Sequence, residues 1–125
     1  MADIDVTYHG GLRCTATGGP ADLGGRAESF SPTDLVAAAL GMCILSTMAI
    51  VAGRQNVDLA GATAKVSKEM AGPPDRRIGR LGVAIHVPPG VPVEHRQRIE
   101  NAARHCPVHN SLRADVQTVV TVVWG

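Results

Sequence analysis

Alternation of apolar and polar residues, together with stretches rich in β-branched side chains, predicts five strands along the chain. Turn-forming residues separate them: the turn His9-Gly10-Gly11 lies between the first two strands, and a Pro- and Gly-rich segment at residues 72–79 follows the third. The predicted strands are residues 4–8, 12–16, 62–70, 81–87 and 116–124.

An apolar run without a charged side chain, residues 35–52, predicts one long helix between the second and third strands. Ser31 can cap this helix, Pro32 suits its first turn, and Gly53 can close it. At 1.5 Å per residue the run is about 27 Å long.

The same run meets the length criterion for a membrane span. Its many small residues, the polar Ser46 and Thr47, and the lack of a flanking Trp or Tyr favour a core helix of a soluble protein instead. A helix that is apolar all round must be covered on every face, which a single chain of 125 residues with few aromatic side chains can hardly do. We therefore expect an obligate homodimer in which two such helices pack together, and no membrane partner.

Apolar residues at helical spacing predict a second, amphipathic helix over residues 93–105. Pro107 interrupts it, and a short helical turn follows to Leu112. Residues 18–27 are rich in glycine and predict a loop. The order of elements indicates an α+β fold, and the length fits a single domain over residues 1–125.

Charge and cysteine usage narrow the classes of partner. The 12 basic and 11 acidic residues give a net charge of +1, without the basic surplus that nucleic acid or acidic lipid requires. Three cysteines, none in a CxxC pair, argue against a secreted disulfide scaffold. The first residues are acidic and lack the apolar stretch of a signal peptide, so we expect a reducing cytoplasm.

Two of the cysteines are candidates for thiol chemistry, which requires a stabilised thiolate. Cys106 directly precedes Pro107, at a predicted helix start where backbone N–H groups and the helix dipole favour negative charge. Cys43 lies about three turns inside the long helix and would need a neighbouring cation. On dipole grounds alone, Cys106 is predicted to be the more acidic thiol. Spacing in the sequence does not decide whether the two cysteines meet.

Three motifs resemble those of a known family. They are SPTDL at residues 31–35, AAALGMC at residues 37–43 and CPVHNSL at residues 106–112. In this order and at this distance they resemble the OsmC/Ohr family, the osmotically inducible protein C and organic hydroperoxide resistance proteins. Segments 68–70 and 76–78 resemble a less studied OsmC-like branch.

The resemblance implies a fold and a reaction. The fold would be an intertwined α+β homodimer, with antiparallel sheets wrapped around two long central helices. The activity would be reduction of organic hydroperoxides to alcohols, with Cys43 as the peroxidatic and Cys106 as the resolving cysteine. Attack by Cys43 would give a sulfenic acid, which Cys106 converts to a disulfide. A dithiol such as dihydrolipoamide would then restore both thiols, without a metal or other cofactor.

The resemblance also implies an Arg and a Glu that hold the site. Arg13, in the predicted second strand, is the candidate thiolate stabiliser, although an exposed charge is an equally simple role for it. The Glu position, ten residues before Cys43, is occupied by Thr33. Asp34 or Glu69 could substitute for the Glu, but Asp34 as a charge at the helix N-terminus is the simpler interpretation.

Other residues have simpler roles. His105, Cys106 and His109 are too few and too irregularly spaced to indicate a metal site. His109 could tune Cys106, but a surface position is the simpler expectation. Cys14 is expected to act as a small apolar residue. Because Thr33 departs from the family pattern, a second function stays open: a non-peroxidase dimer that binds a small apolar ligand or senses redox state through the paired thiols.

Overall fold

A computed structural model describes residues 3–18 and 30–125 of the chain. The glycine-rich loop predicted over residues 18–27 therefore lies outside the described residues, apart from Gly18. The elements, in chain order, are β1 (Ile4–Gly10), β2 (Arg13–Gly18), α1 (Pro32–Gly53), β3 (Thr63–Met70), β4 (Ile78–Val87), α2 (Val93–Ala102), α3 (Pro107–Ser111) and β5 (Gln117–Trp124).

Every predicted strand and helix is present, with shifts at the ends. Gly11 and Leu12 form the turn between β1 and β2, and both have positive φ angles, 61° and 59°. Such angles match the twist of a two-residue hairpin loop. The turn therefore lies at residues 11–12, slightly later than the predicted turn at residues 9–11. β4 begins at Ile78, earlier than predicted, and α2 already ends at Ala102.

The strands form one sheet in the order β2-β1-β3-β4-β5. Neighbours are antiparallel except β4 and β5, which run parallel. The expectation of wholly antiparallel sheets is therefore wrong for this pair. α2 and α3 lie between β4 and β5 in the chain. This crossover connection returns the chain to the end of the sheet at which β4 begins, so that β5 can run parallel to β4.

The two faces of the sheet differ as alternation requires. On the inner face, one row runs from Ile4 through Val66 to Val83, all buried. On the outer face, the adjacent row contains Asp5 and Lys65, both exposed. The helices pack on the inner face, so the core lies between the sheet and the helical layer.

α1 begins as the sequence predicts. Ser31 caps it: the Ser31 hydroxyl accepts from the Asp34 N–H at 3.2 Å, and the Asp34 carboxylate accepts from the Ser31 N–H at 3.0 Å. This reciprocal pair satisfies two backbone donors at the helix start. Pro32 occupies the first turn, where a missing N–H costs nothing.

A buried ion pair joins the start of α1 to β3. The Lys68 ammonium donates to the Asp34 carboxylate at 2.8 Å and to the Thr33 hydroxyl at 2.7 Å. The Asp34 side chain is fully buried and that of Lys68 is 8% exposed. Burial would raise the pKa of Asp34, but hydrogen bonds from Lys68 and Ser31 outweigh it and hold this pKa below its usual value.

Gly41 allows α1 to lie close to the sheet. A Cβ atom at Gly41 would meet the Val66 Cγ2 at 2.8 Å and the Val6 Cγ2 at 3.2 Å. Both neighbours are buried in the inner face, where they have little room to move. The helix can therefore rest on β1 and β3 only where it carries a glycine.

The opposite side of α1 is not covered by residues 3–18 or 30–125. Leu35 is 56% exposed and Ile50 46% exposed, and Ala39 and Cys43 lie between them at helical spacing. By length and composition α1 could cross a membrane, and 44% of its most apolar stretch is buried in the fold. We call the side that carries Leu35, Ala39, Cys43 and Ile50 the outward face of α1.

The close approach at Gly41 predicts that Gly41→Ala destabilises the protein, although alanine is the better helix former. We expect a loss of about 1–3 kcal/mol in the free energy of unfolding, as for other overpacked cores. Gly53, in the last turn of the same helix, is the matched control, because a Cβ there meets nothing within 4 Å. Denaturant unfolding of both variants tests this, and equal stability of the two would contradict the packing argument.

Candidate active site

Cys43 lies in the middle of α1, on its outward face, and is half-buried. Its sulfur lies 4.0 Å from the Thr47 hydroxyl one turn further along the helix. Its position inside the helix leaves it far from the N-terminus of α1, as the sequence indicates. Any stabilisation of its negative charge must therefore come from another element.

Cys106 lies at the N-cap of α3 and is fully buried. Its sulfur accepts from the His109 N–H at 3.3 Å, the contact that a capping side chain makes with a free amide of the first helical turn. The sequence prediction of a helix start at this cysteine is confirmed.

The fold brings the two thiols together. Adjacent amides at the start of α3 contact the two sulfurs, and Cys43 is close enough to raise the pKa of Cys106, so the two thiols are neighbours. The Val108 N–H donates to the Cys43 sulfur at 3.5 Å. Two consecutive amides of α3 thus point at two different sulfurs: Val108 at Cys43 and His109 at Cys106.

The dipole argument, which made Cys106 the more acidic thiol, is wrong. Burial raises the pKa of Cys106 to about 11; the N–H groups of His109 and Val108 oppose this increase, and Cys43 adds to it. Two backbone amides do not compensate for the loss of hydration around a fully buried sulfur. Burial at this position depends on the packing of α3 and is not visible in the local sequence.

His109 is half-buried at the surface, as expected in part, and both of its ring nitrogens also have a hydrogen-bond partner. Its Nδ1 lies 3.2 Å from the Arg104 carbonyl oxygen and its Nε2 lies 2.9 Å from the Thr118 hydroxyl. A carbonyl only accepts, so Nδ1 is the donor in this contact. The ring therefore connects the end of α2 to β5.

Arg13 does not reach either thiol within the described chain. It is exposed, and its Nε donates to the Gly10 carbonyl at 3.5 Å. The next residue, Cys14, lies on the side of β2 that packs against the core, close enough to Ser46 of α1 for that hydroxyl to lower its pKa. Adjacent strand residues point to opposite faces. Arg13 as a thiolate stabiliser stays a prediction.

The two candidate carboxylates have other positions. Glu69 is exposed on the outer face of the sheet, next to Arg80 on β4. Asp34 is the helix N-terminal charge that the simpler interpretation predicts, and it also pairs with Lys68. Thr33, at the position where the resemblance implies a Glu, accepts a hydrogen bond from the same lysine.

Sequence analysis did not single out Lys68. The signal was available: Ala62, Ala64, Val66 and Lys68 occupy alternate positions, so the lysine shares the inward-facing side of β3 with three apolar residues. A lysine in that register needs a buried acceptor, and Asp34 is the acceptor that the fold supplies.

Cys14 is half-buried, and burial raises its pKa above the usual thiol value while the Ser46 hydrogen bond opposes the increase. It behaves as the small apolar residue expected from the sequence. Across residues 3–18 and 30–125, there is no group of three His, Cys, Asp or Glu side chains arranged to hold a metal ion.

Comparisons with known proteins identify a family whose members resemble this chain in sequence and fold. A family model described as OsmC-like protein matches residues 25–121. A solved structure from Psychrobacter arcticus, named for osmotic stress induction and a detoxification response, is 36% identical and has a TM-score of 0.74, over 94% of this chain and 93% of that chain. A search among curated proteins gave no match.

Two further solved structures carry the name organic hydroperoxide resistance protein. The one from Legionella pneumophila is 23% identical with a TM-score of 0.61, and the one from Elizabethkingia anophelis is 24% identical with a TM-score of 0.62. In both comparisons the matched region covers 98% of this chain and 96% of the other chain. At these identities the likeness concerns the fold.

The unequal burial of the two thiols predicts an order of alkylation. At pH 8 a thiol with a pKa of about 11 is ionised in about one molecule in a thousand. We therefore expect iodoacetamide to modify Cys43 well before Cys106, as read by peptide mass spectrometry over time. Unfolding in guanidinium should equalise the two rates. Labelling of Cys106 in the folded protein at the rate of Cys43 would contradict the described environment.

Proposed function

The chain belongs to the OsmC-like protein family, as its cysteine motifs predict, and on that basis we propose that it is a thiol peroxidase that reduces organic hydroperoxides to alcohols. One observation carries the proposal: two thiols from distant parts of the chain lie side by side, and an amide of α3 points at the more accessible sulfur. Two relatives of the same fold are named for organic hydroperoxide resistance.

The proposed reaction has three steps. The Cys43 thiolate attacks the distal oxygen of the hydroperoxide, the O–O bond breaks, and the alcohol leaves after it takes up a proton. Cys106 then attacks the Cys43 sulfenic acid, which forms the disulfide and releases water. A dithiol such as dihydrolipoamide reduces the disulfide by exchange and is itself oxidised to a cyclic disulfide. The sum is hydroperoxide plus dithiol to alcohol, water and disulfide.

The surroundings of the sulfurs support this division of roles. Cys43 is half-buried on the outward face of α1, where a substrate can approach, and its sulfur accepts a backbone N–H. Cys106 is fully buried and its pKa is raised to about 11, so it remains a thiol during the first step. The outward face of α1, on which Cys43 lies, also carries the exposed apolar side chains of Leu35 and Ile50, which favours an organic peroxide over hydrogen peroxide.

A homodimer would complete this site. The outward face of α1 is apolar, carries Cys43, and has no cover within the described chain. A second copy of α1 is the partner that matches this face in length and polarity, and a closed interface is the usual way to cover such a surface. In such a dimer both thiol pairs lie at the interface, no membrane is needed to cover α1, and Arg13 of a second copy is our candidate neighbour of Cys43.

A second candidate function is redox sensing by the same thiol pair. The Asp34 carboxylate is already paired with Lys68, and Glu69 lies on the far face of the sheet. Within the described residues neither carboxylate is thus free to orient a cation beside Cys43. A sensor would form the disulfide once and hold it, whereas the proposed peroxidase turns over in a reducing cytoplasm.

The peroxidase proposal predicts consumption of cumene hydroperoxide with dihydrolipoamide as reductant. Cys43→Ser should abolish turnover, because it removes the nucleophile. Cys106→Ser should block recycling, so that one equivalent of peroxide is consumed and a sulfenic acid accumulates that dimedone can trap. Cys14→Ser is the matched control and should keep full activity. Absence of turnover in the wild type, with a single slow oxidation to the disulfide, would favour the sensor.

The dimer proposal predicts that a charge on the outward face of α1 separates the subunits. Ile50→Glu should convert a particle of twice the chain mass into one of a single chain, since a buried carboxylate without a partner is strongly unfavourable. Val93→Glu is the control, because Val93 is 72% exposed and belongs to α2, not to the outward face of α1. Analytical ultracentrifugation measures the mass. A wild-type protein that sediments as a monomer would overturn the proposal.

A further inference from the structure

The short helix α3 packs on the core through Val108, and one side chain, the imidazole of His109, links it to two other parts of the fold. It has only five residues, Pro107–Ser111, too few for a helix that is stable by itself. The His109 ring links it to the Arg104 carbonyl at the end of α2 and to the Thr118 hydroxyl on β5. Arg104 reinforces the same corner, because its guanidinium donates to the Val120 carbonyl on β5 at 3.2 Å.

The backbone of this anchored residue faces the two sulfurs. The His109 N–H donates to Cys106 and the preceding N–H, of Val108, donates to Cys43. The ring and the two amides belong to adjacent residues of one helical turn. A rotation of α3 that frees the ring would therefore move both amides away from the sulfurs.

We propose that His109 is a positioning residue for the thiol pair: by fixing α3 on β5 through Thr118, its imidazole holds the backbone N–H groups of Val108 and His109 on the Cys43 and Cys106 sulfurs. The inference deepens the proposed function, since it concerns the step that joins the two cysteines. It does not require that the oxidant be a peroxide, because alignment of the sulfurs governs disulfide formation with any oxidant.

A closure reaction tests the proposal without peroxidase activity. In a Cys14→Ser background, the aromatic disulfide dithiobis(nitrobenzoate) reacts with the Cys43 thiolate, which forms a mixed disulfide and releases one thionitrobenzoate. The Cys106 thiolate then attacks the Cys43 sulfur, breaks its bond to the aromatic group, and releases a second thionitrobenzoate. Absorbance follows both releases, and the rate of the second does not depend on reagent concentration.

Two variants remove the anchor in different ways. His109→Ala deletes the ring, and Thr118→Val deletes only the hydroxyl while it keeps a β-branched side chain on the strand. We expect both to slow the second release about tenfold, the order of effect that loss of alignment between reacting groups produces. His105→Ala is the matched control, because His105 is an exposed histidine nearby and its described contact is through its backbone.

The direction in which the rate of the second release changes distinguishes a positioning role of His109 from a general structural role. If the ring only stabilised the fold, its loss would loosen α3 and expose the buried Cys106, so the second release would become faster. Thermal unfolding of each variant identifies any loss of folded protein, and Thr118→Val keeps the test decisive if His109→Ala does not fold. A second release that is unchanged or faster in the folded variants would overturn the inference. A slowed closure in a protein without peroxide turnover would refute the peroxidase and leave the inference standing.

Discussion

The structure depends on one constraint: α1 is apolar on every side and must be covered on every side. The sheet covers one side, and the contact is so close that only a glycine fits at position 41. Burying that side removes a large apolar area from water, which is the main favourable contribution to folding. The outward face has no such cover from the part of the chain that the structure describes, and Cys43 lies on it. The environment of Cys43 thus follows from the need to cover α1, because whatever closes over this face also shields this thiol from water.

The Asp34–Lys68 pair fixes how α1 lies on the sheet. Burying two charged groups away from water is unfavourable unless the hydrogen-bonding atoms that the ion pair leaves unused find other partners. Here the Ser31 N–H and the Thr33 hydroxyl supply the additional partners, so the carboxylate and the ammonium are both bonded more than once. Removing one partner of such a pair typically costs about 3–5 kcal/mol, because the other charge stays buried. The pair therefore resists sliding of α1 along β3, and the register that it holds also places Cys43 beside α3.

The elements of the fold follow from sequence patterns, whereas the contacts between them do not. Alternation and capping residues suffice for the strands and for the start of α1 at Ser31. The parallel pairing of β4 and β5 needs knowledge of where the crossover returns, which no local pattern contains. The meeting of Cys43 with Cys106 could be expected only through the family resemblance. The raised pKa of Cys106 cannot be read from the sequence for the same reason: a helix N-terminus can be recognised there, but the burial that outweighs it arises from packing. Lys68 is an intermediate case, because the alternation along β3 predicts that its side chain points inward, whereas its partner Asp34 is known only from the fold.

The high pKa of Cys106 is compatible with the proposed chemistry. Condensation of a thiol with a sulfenic acid releases water, so the proton of the resolving thiol leaves together with the sulfenic hydroxyl group. A Cys106 that keeps its proton until this step does not compete with Cys43 for the hydroperoxide, and it brings the proton that the leaving hydroxyl needs. What the step requires instead is alignment, since a buried sulfur attacks only along the direction in which it is held. Burial of Cys106 and anchoring of α3 by His109 are then two parts of one arrangement: the first delays ionisation of the thiol, and the second directs its attack to Cys43.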